Sequence, residues 1–421
     1  MKLLTRRPQA GGGLTVSPLE RVVSITGLTR TGLIVLGLSL PIWGAARLIG
    51  GRTIYLFVYG TILVLVISRW LGRRRPALEA RRSEIPTRVR QGQRVEVEVE
   101  VTARRRVGTF LLEEKLHPHL GRHKRIPLSQ ARRGEPVRHR YAITARLRGV
   151  YEVGPLTAVW TDPFGLTERQ AELVPAYELI VHPTTEMVHD RPLTRQWEDP
   201  PIRPPVSKPW PTGFEFYGMR HYAPGDDLRR IVWRAVARTG QVMVRESEQG
   251  ITDRVTIVLD TDGRFHSPGY PSDTFEAAVK TAASLGVRHL KDGFEVTVES
   301  NGAKLGSGWR GSSAQVRLLD ELARLQPDEH SLSSAIDRMV AEPRRDVHTL
   351  VITPHLDDAA AARIRLLMDR GASVVLVVVV WEESDPRTLS AAASLGCQVV
   401  QLRPQTPLEA VFARGVGAGK R

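Results

Sequence analysis

Residues 213–238 combine carboxylates, arginines and aromatic side chains in one short stretch. A pair of carboxylates, Asp226 and Asp227, follows the turn signal Pro224-Gly225. Three arginines then recur at intervals of four: Arg230, Arg234 and Arg238. Carboxylates of this kind can transfer protons, and guanidinium groups can hold phosphate or carboxylate, so the stretch is suited to acid–base chemistry or to binding an anionic partner.

A short helix would position these side chains. Either aspartate can cap its first amides, and the apolar spacing of Leu228, Ile231, Val232 and Ala235 predicts a helix from about Leu228 to Ala237. The arginines fall on another face, where like charges four apart repel by about 0.2–0.5 kcal/mol per pair. The three arginines therefore need negatively charged groups nearby to offset this repulsion. Two sources remain open: an acidic partner surface, or the nearby carboxylates Asp226, Asp227, Glu246 and Glu248.

The same stretch resembles the signature of the domain of unknown function 58 family. The matching pattern is Gly-x-Glu-Phe from Gly213, Arg-x-Tyr-x-x-Gly-Asp-Asp from Arg220, and Arg-x-Ile-x-Trp-x-x-x-Ala-Arg ending at Arg238. Val232 and Val236 depart from it, because the family commonly has His and then Ser or Thr there. The signature positions are Gly213, Arg220, Tyr222, Gly225, Asp226, Asp227, Arg230, Ile231, Trp233, Arg234 and Arg238. A second block, Arg148–Leu156 continuing to Asp162-Pro163-Phe164-Gly165-Leu166, is similar to the segment that precedes the signature in that family.

The resemblance implies a bacterial, membrane-anchored protein with a von Willebrand factor A-like domain. It also implies a partner, since such proteins are commonly found with MoxR-type AAA+ ATPases and are thought to act as their adaptors or targets. On this interpretation Trp233 is an aromatic anchor and the arginines contact anions.

The charge of the chain is concentrated near its start. The net charge is +15 over 421 residues, but residues 1–82 carry +11, residues 83–170 carry +7, and the remainder carries −3. A basic tail beside apolar segments is typical of membrane topology rather than of nucleic-acid binding. We therefore expect membrane lipid as a partner and no nucleic acid.

Two uncharged apolar runs, Thr31–Ala46 and Thr53–Ser68, predict a tight transmembrane hairpin within residues 28–72. A buried hairpin in a soluble protein is the alternative. Arginines cluster before the first run and after the second, while the connection between them offers only Arg47 and Arg52. Both termini are therefore expected on the cytoplasmic side of the inner membrane. The single Cys397 agrees with a reducing compartment, and residues 1–27 are expected to form a disordered basic tail.

Two soluble parts follow. Residues 83–183 alternate in a period of two, most strictly over 94–101, and predict a small antiparallel β-sandwich-like domain. Residues 184–212 are rich in proline and predict a linker before the signature segment 213–250. In residues 251–421, strand patterns alternate with helix patterns, which predicts an α/β domain with a doubly wound parallel sheet.

The sheet carries one candidate metal site. Asp260 and Asp262 follow the first strand, and Asp357 follows a later one, where a von Willebrand factor A-like fold holds a divalent ion. The loop departs from the family's Asp-x-Ser-x-Ser, because Asp262 and Arg264 replace the serines. We expect Mg²⁺ binding to be weak or lost, with Asp260 bonded to loop amides and paired with Arg264.

The sequence lacks four common enzyme motifs: a phosphate loop, a His-Glu-x-x-His helix, a nucleophile elbow and a glycine fingerprint after a strand. His221 beside Tyr222 is more typical of hydrogen-bonded scaffolding than of a catalytic base. The favoured hypothesis is thus a non-enzymatic, membrane-anchored interaction module without a cofactor. One alternative is an enzyme acting on envelope precursors or phospholipid headgroups through Asp226 and Asp227. Another is a receptor-like module outside the cell, which requires the inverted topology.

Overall fold

The chain divides into two compact units, Met1–Val181 and His182–Arg421. The structure is a computed structural model that describes residues 26–49, 52–73, 76–105, 107–128, 133–188, 216–223, 231–247, 254–342, 348–382 and 385–412.

Two long apolar helices begin the first unit. Helix α1 spans Arg30–Ile49 and helix α2 spans Arg52–Gly72. Each is long and apolar enough to cross a membrane, by length and composition, and the two predicted spans lie within them. Most of their large apolar side chains are exposed. Their small buried residues, among them Ser39 and Ala46 in α1 and Ser68 and Gly72 in α2, lie on faces that are covered by protein.

Ten strands make up the rest of this unit: β1 Leu78–Arg82, β2 Arg88–Arg90, β3 Arg94–Ala103, β4 Phe110–Glu114, β5 Lys124–Leu128, β6 Pro136–Thr144, β7 Gly149–Val153, β8 Leu156–Thr161, β9 Glu168–Val174 and β10 Tyr177–His182. They form three sheets, with orders β1-β3-β6, β2-β10-β7 and β5-β4-β8-β9. The neighbours β1–β3, β3–β6, β7–β10, β4–β5, β4–β8 and β8–β9 run antiparallel.

Strand β3 shows why these residues form a sheet around one core. Its valines, from Val95 to Val101, are buried, while the intervening glutamates face outward. Two of those glutamates pair across the strand with arginines of β6: Glu98 Oε2 lies 2.8 Å from Arg140 Nε, and Glu100 Oε2 lies 3.1 Å from Arg138 Nε. Strands of all three sheets contribute to the core that the valines enter.

The second unit contains eight strands: β11 Phe216–His221, β12 Met243–Ser247, β13 Arg254–Leu259, β14 Glu295–Ser300, β15 Lys304–Trp309, β16 His348–Thr353, β17 Ser373–Val379 and β18 Gln398–Leu402. Its helices are α3 Trp233–Thr239, α4 Asp273–Lys291, α5 Ser312–Arg324, α6 Leu332–Ala341, α7 Asp358–Asp369, α8 Pro386–Ser394 and α9 Leu408–Phe412. The predicted mixed α/β class is confirmed.

Six of these strands form one sheet in the order β15-β14-β13-β16-β17-β18. Strands β13, β14, β16, β17 and β18 are parallel to one another, but β15 runs antiparallel to β14 at the edge. The five strands that the sequence predicted are therefore parallel as expected, and the antiparallel edge strand β15 was not predicted. The short connection between Ser300 and Lys304 explains it, because three residues can return the chain only as a hairpin.

Helices cover both faces of the sheet. Ile257 and Leu259 of β13 pack in the cluster that contains residues of α4 and α5, whereas Val258 packs in the cluster that contains residues of α6 and α7. This alternation follows from the pleat, which sends successive side chains to opposite faces. The valine-rich run in β17 is buried in the same way.

The beginning of the proline-rich segment packs on this unit. The Glu186 carboxylate accepts hydrogen bonds from Lys280 Nζ at 2.8 Å and from the Leu408 amide at 2.7 Å. Val188 is buried in the core beside α4. Residues 184–188 thus belong structurally to the α/β fold, and residues 189–212 lie outside the described part of the chain.

Candidate functional site

The signature segment folds around strand β12. Strand β11 pairs with it antiparallel, with Arg220 opposite Val244 and His221 opposite Met243. On the far side of residues 224–230, Ile231 forms a bridge with Val244, and the Val232 amide donates to the Met243 carbonyl at 2.9 Å. Strand β12 therefore pairs both with β11 and with Ile231 and Val232, which follow the undescribed residues 224–230.

Helix α3 begins later than the sequence predicted. The prediction placed it from about Leu228 to Ala237 with a cap from Asp226 or Asp227, but it spans Trp233–Thr239, with Val232 at its N-cap and no side-chain cap bond. The physical reason is that Ile231 and Val232 are β-branched and extend along β12 instead of forming an apolar helical stripe. Gly240 ends the helix in the left-handed conformation, φ 70°, and its amide donates to the Val236 carbonyl.

The helix exposes the side chains that the signature places on it. Trp233 is 68% exposed, Arg234 and Arg238 are exposed, and none of the residues of α3 is buried. An indole of this size on the surface is uncommon unless it meets another surface. Ile231 and Tyr222 are half-buried.

The remaining signature positions are only partly described. Arg220 lies in β11, and its side chain is outside the described residues, as are those of Arg245 and Glu246. Outside the described part of the chain altogether lie Gly213, Gly225, Asp226, Asp227, Arg230 and Glu248. The pairing of the arginines with internal carboxylates or with an acidic partner stays a prediction.

The second candidate site lies at the carboxyl ends of the parallel strands. Asp260 follows β13 and is buried among protein donors. Its Oδ1 lies 2.5 Å from Asn301 Nδ2 and 3.1 Å from the Asp262 amide, and its Oδ2 lies 2.6 Å from Thr353 Oγ1. Asn301 and Thr353 belong to the carboxyl ends of β14 and β16, the neighbours of β13, so the sheet brings the three together.

Asp262, not Asp260, pairs with Arg264. The guanidinium binds both carboxylate oxygens of Asp262, with Nε 2.8 Å from Oδ1 and Nη2 2.6 Å from Oδ2. The predicted pairing with Asp260 was therefore wrong, because the loop turns that side chain inward. Asp357 has a different role from the other two aspartates. It is exposed and caps α7 by accepting a hydrogen bond from the Ala360 amide at 2.7 Å.

Burial sets the protonation of this cluster. Desolvation raises the pKa of Asp260 from its usual 3.8 to about 6, against the opposing effect of its hydrogen bonds from Thr353, Asn301 and the Asp262 amide. Desolvation also lowers the pKa of His266 to about 4, so its ring is neutral at pH 7. That ring bridges the Asp260 carbonyl and the Thr274 hydroxyl, each at 3.1 Å.

The arrangement leaves little for a cation. Each candidate carboxylate already accepts hydrogen bonds from protein groups, and a cation would have to displace Arg264 from Asp262. Across the described residues, no group of three or more His, Cys, Asp or Glu side chains is arranged to hold a metal ion. Sequence reasoning missed Asn301, Thr353 and His266; the signal for the first two was that each lies where a buried strand ends.

The second motif block forms a loop against the base of the hairpin. Asp162 is buried and its Oδ1 accepts hydrogen bonds from the amide and the hydroxyl of Thr167, at 2.5 and 2.9 Å. Its Oδ2 accepts the Phe164 amide at 2.9 Å. Although burial opposes ionisation, these bonds hold the pKa of Asp162 below its usual range. We call residues Asp162–Thr167 the base loop.

The base loop contacts both helices. At the start of α1, the amide and hydroxyl of Thr29 donate to the carbonyls of Leu166 and Gly165, at 2.9 and 2.7 Å. At the end of α2, the Thr167 hydroxyl lies 3.3 Å from the Ser68 carbonyl, and Trp160 Nε1 donates to the Gly72 carbonyl at 3.2 Å. The loop therefore ties the two open ends of the hairpin to the β-sheet domain.

A comparison with known families bears on the signature. Residues 218–389 match the family model described as Protein of unknown function DUF58. This match supports the predicted family over the segment that it covers, from strand β11 to helix α8. No curated protein matches the chain.

Similar solved structures cover about a quarter of the chain. One is the CARDB domain of the PF1109 protein from Pyrococcus furiosus in complex with di-metal ions, 18% identical, TM-score 0.18, covering 25% of this chain and 88% of that one. Another is beta-glucosidase from Listeria innocua in complex with gluconolactone, 13% identical, TM-score 0.17, covering 25% and 16%. A third is AvmM, which catalyzes macrocyclization in alchivemycin A biosynthesis, 14% identical, TM-score 0.17, covering 26% and 93%. At these scores the likenesses carry no argument about function.

Proposed function

We propose that the protein is a membrane-anchored, cytoplasm-facing interaction module without catalysis of its own, which serves as an adaptor for, or a target of, a MoxR-type AAA+ ATPase. The observation that carries the proposal is the helix α3, which exposes Trp233 together with the cations Arg234 and Arg238. Aromatic and arginine side chains dominate the binding energy of protein interfaces.

The anchor in this proposal is the hairpin of α1 and α2. Its exposed leucines, isoleucines and aromatic residues would be costly in water and are suited to hydrocarbon. In the sequence, the open end of the hairpin is flanked by Arg21, Arg30, Arg69, Arg73, Arg74 and Arg75, whereas the connection between the helices has only Arg47 and Arg52. The rule that cationic flanks stay inside the cell places that end, and with it both termini, on the cytoplasmic side.

The second unit presents the binding surface. We propose that its sheet is von Willebrand factor A-like. We also propose that the hydrogen-bonded cluster around Asp260 holds the carboxyl ends of the strands together, where a related fold would have a metal site. Support comes from the hydrogen bonds that Asn301, Thr353 and the Asp262 amide supply to Asp260. The choice of a AAA+ partner rests on the family resemblance, and the exposed arginines require that the contacted surface be acidic.

Affinity capture tests the partner. The full chain, purified from its own membranes in mild detergent, should retain a AAA+ ATPase that mass spectrometry identifies. An Arg234→Glu, Arg238→Glu variant and a Trp233→Ala variant should each lose it, with the Kd for the purified ATPase raised at least about tenfold.

A matched control keeps the number of charge reversals constant. Arg317 and Arg387 are exposed on α5 and α8, away from the signature in sequence. The Arg317→Glu, Arg387→Glu variant should bind the ATPase as the native chain does. Equal retention by all variants would show that α3 is not the docking surface, and loss from the control as well would show that only net charge matters.

Protease protection tests the orientation. The C-terminal unit should be protected in sealed cells and cleaved in inverted membrane vesicles. Cleavage in intact cells would contradict a cytoplasmic module and favour the receptor-like alternative.

A further inference from the structure

The open end of the hairpin is also one end of the β-sheet domain. The base loop lies at this end, level with the first turn of α1, since Leu166 and Gly165 accept hydrogen bonds from Thr29. The segment after β3 lies there too, because the Arg104 amide donates at 2.8 Å to the carbonyl of Ala77, which follows the end of α2 closely. We call this end of the domain the basal surface.

The basal surface combines a large exposed apolar side chain on the base loop with a set of cations. Phe164, in the base loop, is 56% exposed although its amide is fixed by Asp162. Among the described residues, the exposed cations at this end are Arg30, Arg69, Arg73, Arg104, Arg105 and Arg133. Arg133 is placed there by its bridge with Ala103.

Carboxylates do not cancel this charge. Glu79 forms an ion pair with Arg104, and Glu135 and Glu168 are exposed nearby in the chain. Asp162 is buried and engaged by Thr167 and Phe164, so it is turned away from the surface. The described cations therefore outnumber the described exposed carboxylates at this end.

Such a surface fits one partner. Segments that lie in the membrane interface bury phenylalanine and other large apolar side chains at the boundary between headgroups and acyl chains, and arginines are attracted to anionic headgroups within a Debye length. We infer that the basal surface of the β-sheet domain lies in the headgroup layer of an anionic phospholipid membrane, with Phe164 inserted at the acyl boundary and the arginines on lipid phosphates. The inference rests on the proposed transmembrane hairpin, to which this surface is continuous.

The geometry explains why insertion would be stable. Phe164 lies between residues fixed at both helices, since the base loop bonds Thr29, which directly precedes α1, and the Ser68 carbonyl of α2. A ring carried on a rigid loop loses little conformational freedom on entering the membrane. The β-sheet domain would then have one fixed depth and tilt relative to the bilayer.

Site-directed spin labelling tests the inference in the full chain. In a Cys397→Ala background, single cysteines are introduced as Phe164→Cys, Leu63→Cys and Arg122→Cys, and the labelled proteins are reconstituted in vesicles of phosphatidylcholine with phosphatidylglycerol. Leu63 lies within α2, and Arg122 is exposed in the loop between β4 and β5, at the opposite end of those strands from Phe110 and Leu128. The ratio of oxygen to nickel-chelate accessibility should be highest at 63, several-fold lower at 122, and intermediate at 164.

The three sites separate the possible failures. A low ratio at 63 would overturn the transmembrane hairpin itself. A high ratio at 63 with equal, water-like ratios at 164 and 122 would overturn the inference about the basal surface alone. Omitting phosphatidylglycerol should lower the ratio at 164, as should Arg105→Glu with Arg133→Glu in the mixed vesicles. An unchanged ratio in both cases would overturn the role of anionic lipid.

Discussion

Gly32 of α1 lies against the carbonyl oxygen of Leu166, so closely that a Cβ atom at residue 32 would stand 2.2 Å from that oxygen. Backbone has to move to accept any side chain there. A Cβ atom added at Gly72, at the end of α2, would similarly stand 2.7 Å from the hydroxyl oxygen of Thr167. The seating of the hairpin on the base loop thus depends on two glycines that have no special backbone conformation.

Replacing Gly32 with alanine should weaken the contact between the hairpin and the base loop. The added methyl group clashes with the Leu166 carbonyl and breaks the hydrogen bonds of Thr29, so the melting temperature of the full chain in detergent should fall. Gly37→Ala is the matched control, because nothing lies within 4 Å of that position on the same helix. It should be neutral or stabilise by up to about 1 kcal/mol. Equal effects of the two changes would contradict the close contact.

The buried ion pair between Arg82 and Glu114 should be costly to break on one side. Arg82 Nη2 lies 2.7 Å from Glu114 Oε1, with side chains 6% and 1% exposed, and burial raises the pKa of Glu114 despite its partner. Arg82→Met should destabilise the β-sheet domain by about 3–5 kcal/mol because it leaves a buried carboxylate alone. Arg82→Met with Glu114→Leu should cost less, as measured by urea unfolding of the full chain.

The neighbouring ion pair between Arg125 and Glu113 provides the control for the Arg82 and Glu114 variants. Its Nε–Oε1 distance is 2.9 Å, but the arginine is exposed. Arg125→Met should cost no more than about 1 kcal/mol. A double variant of Arg82 and Glu114 that is less stable than either single variant would show that the buried pair is favourable in itself.

Stability of the second unit should respond to pH through two opposing groups. Asp260 has a folded pKa raised to about 6. Its contribution to the free energy of unfolding is therefore present at low pH and is lost as the pH rises through 6. His266 has a folded pKa lowered to about 4, so its contribution is present above pH 6.5 and is lost as the pH falls toward 4. Between pH 4 and 6.5 the two largely cancel in the native chain.

The Asp260→Asn variant should make the pH dependence of stability that His266 causes measurable. The amide mimics the protonated acid, so the variant should lose about 2–3 kcal/mol as the pH falls from 6.5 to 4, while the native chain changes much less. Urea midpoints of the two proteins over that range measure the difference. Parallel pH profiles would show that Asp260 is ionised throughout.

Magnesium should not stabilise the native chain, because Arg264 occupies both oxygens of Asp262. Arg264→Ser should release that carboxylate and create a dose-dependent rise in melting temperature, worth about 1.4 kcal/mol at ten times the Kd. The control is Arg254→Ser, which removes an arginine at the other end of β13. A clear rise in the native chain would overturn this account of the cluster.

The sequence predicted elements whose signal is local. The strict alternation in β3 and the apolar run of β17 each coincide with an observed strand, because pleat and burial repeat within a few residues. Helix α3 was placed too early because Ile231 suits both a helical stripe and a pairing with Val244, and only the second was satisfied. Tertiary pairing decided between them.

Contacts across long stretches of chain could not be predicted. Thr29 and Gly165 are 136 residues apart, and Asn301 reaches Asp260 across 41 residues. The family pattern marked Asp162–Leu166 as notable, yet nothing in its residue types says that it seats a helical hairpin. The exposure of Trp233, too, follows only from where α3 begins.

Strand β10 is the last element of the first unit and lies between β2 and β7 in its sheet. Leu179 pairs with Tyr151 on one side, and the Ile180 amide donates to the Thr87 carbonyl on the other. Tension on the chain beyond Val181 is therefore shared by two ladders of hydrogen bonds before any other strand is loaded. The first unit therefore resists unfolding from its C-terminal strand. A force applied to the second unit would be transmitted to the hairpin through a β-sheet domain that stays folded.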